Sequence, residues 1–209
     1  ENIGTNSFTG CYELTSVNIA DAKLQMPNLT LLPKLHEITI GNNNGHHTLI
    51  NGVLYNKTAN TLQVYPYALD CETYVLPESV NTIEEYVLMH FSYNNKDLLN
   101  LKALVSLATT PPDCHTGFNF SRLDNTTLYV PKNSMEAYQT ARGWNNFQNI
   151  IGLTEEEINA MLTGIKGIEA DNATTNPDGN GTLHTLDGRC TSTPAKGLYI
   201  RNGKKVIVR

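Results

Sequence analysis

Residues 3–40 read IGTNSFTGCYELTSVNIADAKLQMPNLTLLPKLHEITI. The apolar residues of the first half, Ile3, Phe8, Cys11, Leu14, Val17 and Ile19, return 21 positions later as Leu24, Leu29, Leu32, Leu35, Ile38 and Ile40. All six positions match at a single offset. The spacing of three at the start of each unit suits a short helix or turn, and the closing spacing of two suits a short strand whose alternate residues share a face. A repeat of this length falls in the range of about 20–29 residues used by solenoids that stack one strand and one turn per unit. The stretch therefore predicts an α/β repeat fold, a leucine-rich-repeat solenoid with a parallel strand ladder.

Further rungs are expected at Tyr74-x-Leu76, Val105-x-Leu107 and Leu128-x-Val130, and Ile83, Leu88 and Phe91 copy the helical part of the first unit. Thr82 and Glu85 have the spacing of a capping box for a short helix there. The long gap between the rungs at 38 and 74 is filled by an inserted β-hairpin: Thr48-Leu49-Ile50, Asn51-Gly52, then Val53-Leu54-Tyr55, with Leu62 to Tyr65 as a third strand. Asn-Gly supplies the two positive-φ residues of a type I′ turn. Two helices should follow the last rung, one capped by Ser134 and stopped by Gly143, the other opened by a Thr154/Glu157 capping box and stopped by Gly164. The domains read as 1–152 solenoid, 153–164 connecting helix and 165–209 small C-terminal β domain, with a flexible loop at 171–181 and an Asn202-Gly203 hairpin.

Composition bounds the function. The 209 residues carry a net charge of -5, only 17% charged residues, 25 Asn and 24 Thr. A weakly acidic chain without Lys/Arg clusters is a poor match for nucleic acid or an anionic membrane surface. No run of apolar residues is long enough to span a bilayer. The first residues show neither Met nor a basic and apolar leader, so the chain is expected to be a mature form or a fragment whose export signal is missing.

Four strings carry a family resemblance: IGTNSFTGCYELTSVNIA, NGVLYNKTANTLQVYP, TYVLPESVNTIEEYVL, and SLATTPPDC with TTLYVPKNSMEAYQTARGWNNFQNI. Together they resemble the BspA-like leucine-rich repeats of surface proteins in Bacteroidetes-type bacteria, over residues 1–152. The tail, GIEA followed by HTLDGRCTSTPAKGLYIRNGKKVIVR, is similar to the sorting domains of type IX secretion. The resemblance implies an extracellular or outer-surface protein, with no catalytic residues and no cofactor. Its implied partners are host matrix or surface proteins, or glycans. The alternatives are a scaffold stub of a longer repeat array and a hydrolase.

The candidate binding surface is the outward side of the ladder. Its expected columns are Asn18, Thr39, Val75, Ser106 and Tyr129, flanked by Ser16, Glu37, Thr73, Leu104 and Thr127. Glu37 and Tyr129 are the anchor types among them. Tyr65-Pro66-Tyr67 and Trp144 are further aromatic candidates, Trp144 also suiting a core position beneath its helix.

Other motifs point to little chemistry. His46 and His47 are adjacent, face opposite ways on a strand, and are expected in a solvated loop rather than on a metal. Cys114-His115 are chain neighbours, which seldom orient as a nucleophile pair. Glu155 to Glu157 suit the first turn of a helix, and Asp178 to Gly181 lack the alternating carboxylates of a calcium loop. Cys11, Cys71, Cys114 and Cys190 form no CxxC; they allow two disulfides in three pairings or buried thiols. The six Asn-x-Ser/Thr sequons are close to what this composition produces by chance.

Overall fold

The computed structural model describes residues 1–26, 28–88, 101–114 and 125–164, together with the strand backbones at 92–93, 96–97, 183–184, 190–191, 197–201 and 204–208. The 21-residue offset is the register of its first ladders. Strands β1 (Asn2–Ile3) and β2 (Ser16–Asn18) are followed by β3 (Lys23–Leu24) and β4 (Glu37–Thr39). β1 pairs parallel with β3, Asn2 opposite Lys23, and β2 pairs parallel with β4, Ser16 opposite Glu37. Between the strands the chain forms turns rather than helix.

The chain then makes β5 (His47–Ile50), β6 (Val53–Asn56) and β7 (Thr61–Val64), all antiparallel neighbours. Asn51 and Gly52 between β5 and β6 have φ of 55° and 79°, both positive as a type I′ turn requires. Next come β8 (Thr73–Leu76), β9 (Thr82–Ile83), the antiparallel pair β10 (Ser92–Tyr93) and β11 (Lys96–Asp97), β12 (Ala103–Ser106), β13 (Asp113–Cys114) and β14 (Thr127–Pro131). Helix α1 (Met135–Thr140), β15 (Asn149–Leu153) and α2 (Glu155–Gly164) follow. The order β8-β12-β14-β15 is one parallel sheet, and β7-β9-β13 is a second parallel ladder joined through β7 to the antiparallel β6 and β5. Strands β16 (Leu183–His184), β17 (Cys190–Thr191), β18 (Gly197–Arg201) and β19 (Lys204–Val208) form an antiparallel sheet in the order β17-β16-β18-β19. The 171–181 loop and the Asn202-Gly203 turn lie outside the described residues.

The result, among the described residues, is a parallel β-solenoid of six rungs: β2, β4, β8, β12, β14 and β15. It departs from the expected single ladder by a break in its middle and by the added rung β15. β4 and β8 do not pair; the hairpin segment separates them, and the Ala68 amide donates to the Leu35 carbonyl at 2.9 Å just beyond it. The short helix expected at Thr82 is also absent. Thr82 and Ile83 are strand β9, with Thr61 and Leu62 on one side and Asp113 and Cys114 on the other. The equivalence of Ile83 with Ile3 holds, since both lie in strands. The Thr154/Glu157 box is formed: the Glu157 amide donates to the Thr154 hydroxyl at 3.2 Å and the Thr154 amide to the Glu157 carboxylate at 2.8 Å. Those bonds hold the Glu157 carboxyl below its ordinary range. Ser134 precedes α1 but is buried and makes no side-chain cap bond.

Burial follows rung position at five of the six matched pairs; at the sixth, Ile19 is 2% exposed and Ile40 half-buried. Leu24, Leu29, Leu32, Leu35 and Ile38 are all at most 4% exposed. Their counterparts one repeat earlier, Ile3, Phe8, Leu14 and Val17, are only partly buried, and Cys11 is exposed. The sequence pattern is the same; among the described residues the first rung is paired on one side. Leu54 and Val64 of the hairpin sheet complete this first cluster. A second cluster gathers Tyr55, Leu62, Tyr74, Leu104, Leu128, Tyr138 and Trp144. Cys71 is disulfide-bonded, Cys11 and Cys114 carry free thiols, and the Cys190 side chain lies outside the described residues.

Truncation should therefore cost unequally at matched repeat positions. Leu35→Ala is expected to lose about 2–5 kcal/mol in urea unfolding, and Leu14→Ala less than about half of that. Equal losses would mean that the first rung is as enclosed as the second.

Candidate functional site: the outer face of the four-stranded sheet

Successive strand residues face opposite sides, so register decides which side chains are outside. Leu104 stands opposite Tyr74 and Leu128, and Leu128 opposite Ile150. Tyr74, Leu76, Leu104, Leu128 and Val130 belong to the second core cluster, with Ile150 packed against it. The other side of the sheet carries one row of Val75, Val105, Tyr129 and Ile151, and beside it a row of Thr73, Ala103, Thr127 and Asn149. Pro131 opposite Leu153 extends the face. None of these ten positions is charged. Exposure along the first row is uneven: Val75 is half-buried, Val105 only 1% exposed, Tyr129 half-buried and Ile151 42% exposed.

This arrangement corrects the expected columns at the fourth of their rungs. Val105 and Leu107 were expected inside and Ser106 outside; instead Leu104 and Ser106 point inward, and Ser106 is 1% exposed. The cause is a hydroxyl pair. Ser106 Oγ lies 2.7 Å from the Tyr138 hydroxyl, which itself donates to the Ala108 carbonyl at 2.9 Å. A polar residue thus occupies a core position with its bonding satisfied. Burial pushes the Tyr138 hydroxyl pKa up to about 12.

Asn18, Glu37 and Thr39 do come together, on β2 and β4, and Val75 and Tyr129 come together on the longer sheet. The two groups share no ladder. Asn18 is exposed and accepts the Ala20 amide at 2.8 Å; Thr39 is exposed and Glu37 half-buried. The N-terminal face is thus polar where the larger face is apolar.

Ile151 was missed because β15 gives no alternating signal. Of its two inward positions, Ile150 and Gly152, the second is one where a Cβ would lie 3.0 Å from the Lys132 Cα and 3.2 Å from the Met135 sulfur. Close approach of the chain leading into α1 forbids the apolar side chain that would have marked the strand.

The remaining candidates resolve into structure. Tyr65, Tyr67 and Trp144 are all at most 3% exposed, so they are core and not surface anchors. Trp144 donates from Nε1 to the Pro112 carbonyl at 2.8 Å. Cys114 is buried and its thiol is pushed up to about 12, chiefly by burial, which keeps it protonated; His115 lies outside the described residues, as do Asp178 to Gly181. Glu155, Glu156 and Glu157 are the first turn of α2. His46 is exposed, but His47 is a buried strand residue rather than a solvated loop residue. Asn28, in one of the sequons, is 2% exposed and donates to the Gly4 carbonyl. Among the described residues no group of three or more His, Cys, Asp or Glu could hold a metal ion, and no helix is long and apolar enough to cross a membrane.

No family model matches the chain. No curated protein matches it either. Solved structures similar to it include a leucine-rich repeat protein from Eubacterium ventriosum, 18% identical, with a TM-score of 0.45 over 66% of this chain and 42% of that one. Another is a leucine rich cell surface protein from Faecalibacterium prausnitzii, 17% identical, with a TM-score of 0.41 over 76% of this chain and 53% of that one. The pneumococcal vaccine antigen PcpA is 12% identical, with a TM-score of 0.28 over 68% of this chain and 56% of that one. The chain thus spans about half the length of these neighbours.

The register has a direct consequence for charge. Ser106→Glu would bury a carboxylate without a partner and should cost about 3 kcal/mol or more. Asn149→Glu, on the exposed outer row, should stay within about 0.5 kcal/mol. Thermal unfolding of the two variants checks this; the reverse order would place Ser106 outside.

Proposed function

We propose that this chain is a non-catalytic, extracellular or cell-surface repeat protein that binds a protein or glycan partner on host or other cells. The observation that carries the reading is the uncharged outer face of the parallel sheet around Val75, Tyr129 and Ile151, with Val105 buried between Val75 and Tyr129. Such a face suits partners that bring apolar side chains or the apolar face of a sugar ring, with Tyr129 and Ile151 as anchors. Association there should depend weakly on salt, because no charged side chain takes part. Asn18, Glu37 and Thr39 form a separate polar patch and contribute little in this reading. Residues 165–209, similar to sorting domains of type IX secretion, act as the export address of a protein from a Bacteroidetes-type bacterium.

The test is a binding screen of the purified chain against host matrix proteins and a glycan array, repeated with variants. Ile151→Glu and Tyr129→Ala should weaken binding at least about tenfold, the loss of one hot-spot contact, while Glu37→Ala leaves it unchanged. Equal binding by all three variants would place the interface elsewhere.

A further inference from the structure

The side chain of His47 occupies a place where a sheet would otherwise need another strand. In β3 the amides of Lys23 and Gln25 donate to Glu1 and Ile3 of the first rung. The Leu24 amide between them is received by a side chain. His47 Nε2 accepts it at 2.9 Å. An amide only donates, so Nε2 is the unprotonated nitrogen and Nδ1 carries the hydrogen. Nδ1 in turn lies 2.8 Å from the Gln63 side-chain oxygen and donates to it. One neutral ring therefore joins β3, β5 and β7, that is, the first two repeats and the hairpin sheet.

Asn44 reinforces the same junction. Its side-chain oxygen accepts the amides of His46 and His47 at 2.8 and 2.9 Å, and its Nδ2 donates to the carbonyls of Ala20 and Ala22 at 2.8 and 3.3 Å. Lys57 Nζ donates to the Asn44 carbonyl at 2.7 Å.

We propose that His47 is a pH-operated latch: neutral, it clasps the N-terminal repeats to the hairpin sheet, and protonated, it releases the Leu24 amide and loosens them. A proton on Nε2 sets one N–H against another in a place that is 2% exposed. Among the described groups that face the ring, like charges oppose the cation and only hydrogen-bond dipoles favour it. His46 beside it and Lys23 on β3 are of like sign, Gln63 and the Tyr55 backbone supply only dipoles, and no carboxylate is among them. Burial first, then His46 and Lys23, hold its pKa below the ordinary 6.5, against the pull of the hydrogen bonds to Gln63 and to the Tyr55 backbone. The unfolded chain therefore binds the proton more readily. The latch contributes fully above pH 6.5 and is lost as pH falls from there through the folded value.

Amide hydrogen exchange followed by NMR between about pH 8 and about pH 5 reads this directly. After correction for intrinsic rates, protection of the Leu24 amide should fall on acidification, by about tenfold for each unit separating the folded and unfolded pKa. Protection of Leu128, in the distant ladder, should not change with it. His47→Gln, which keeps an acceptor without a titrating ring, should flatten the Leu24 response, and His46→Gln should leave it in place. Should His47→Gln fail to fold, ¹⁵N spectra of the wild-type imidazole decide alone: an Nδ1–H tautomer titrating below pH 6.5 supports the latch. An Nε2–H tautomer, a midpoint at or above 6.5, or a pH-independent Leu24 amide overturns it.

Discussion

Stacking of inward side chains from one parallel strand onto the next is the constraint from which the rest of this structure follows. The strands are too short to be stable alone: β2 and β4 have three residues each, and β1 and β3 two. What holds them is that Leu24, Leu29, Leu32, Leu35 and Ile38 are covered on one side by the first rung and on the other by Leu54 and Val64. A unit that cannot bury its own apolar face must borrow a neighbour's, which is why the pattern repeats at a fixed offset and why cost should follow rung position more than residue type.

The same constraint builds the candidate site. Once Tyr74, Leu104, Leu128 and Ile150 are stacked inward, the residues between them have no choice but to form a row on the other side. The chemistry of that row is then free to vary without disturbing the core. On β2 and β4 it is polar; on the four-stranded sheet it is Val75, Val105, Tyr129 and Ile151. The division between the two coincides with the break in the ladder, where the hairpin intervenes and side chains such as His47 replace backbone pairing.

How much of this was legible depended on whether each inward position was filled by an ordinary apolar residue. In residues 3–40 the six repeated positions were, and the offset there equals the observed register. The Asn51-Gly52 turn was equally plain, because two positive φ values in succession demand those residue types. Where a core position held something else, the reading slipped. Ser106, satisfied by Tyr138, moved the expected alternation by one residue and so exchanged inside for outside. Gly152, kept small by the chain at Lys132 and Met135, concealed β15 and with it Ile151. Thr82 and Glu85 have the spacing of a cap, but pairing of Thr82 and Ile83 with two other strands outweighs so local a preference. Tyr65 and Tyr67 looked like surface aromatics beside a proline, and burial of that segment by the hairpin sheet was not visible in the local sequence.

The most direct test of the account is the register of the four-stranded sheet in solution, read from interstrand NOEs. The structure places Val105 beside Val75 and Tyr129, and Tyr129 beside Ile151. Contacts in that series, with Leu104 next to Leu128 on the core side, are the expected result. Contacts that set Ser106 beside Tyr129, with Val105 next to Leu128, would return Ser106 to the surface and dissolve the apolar row.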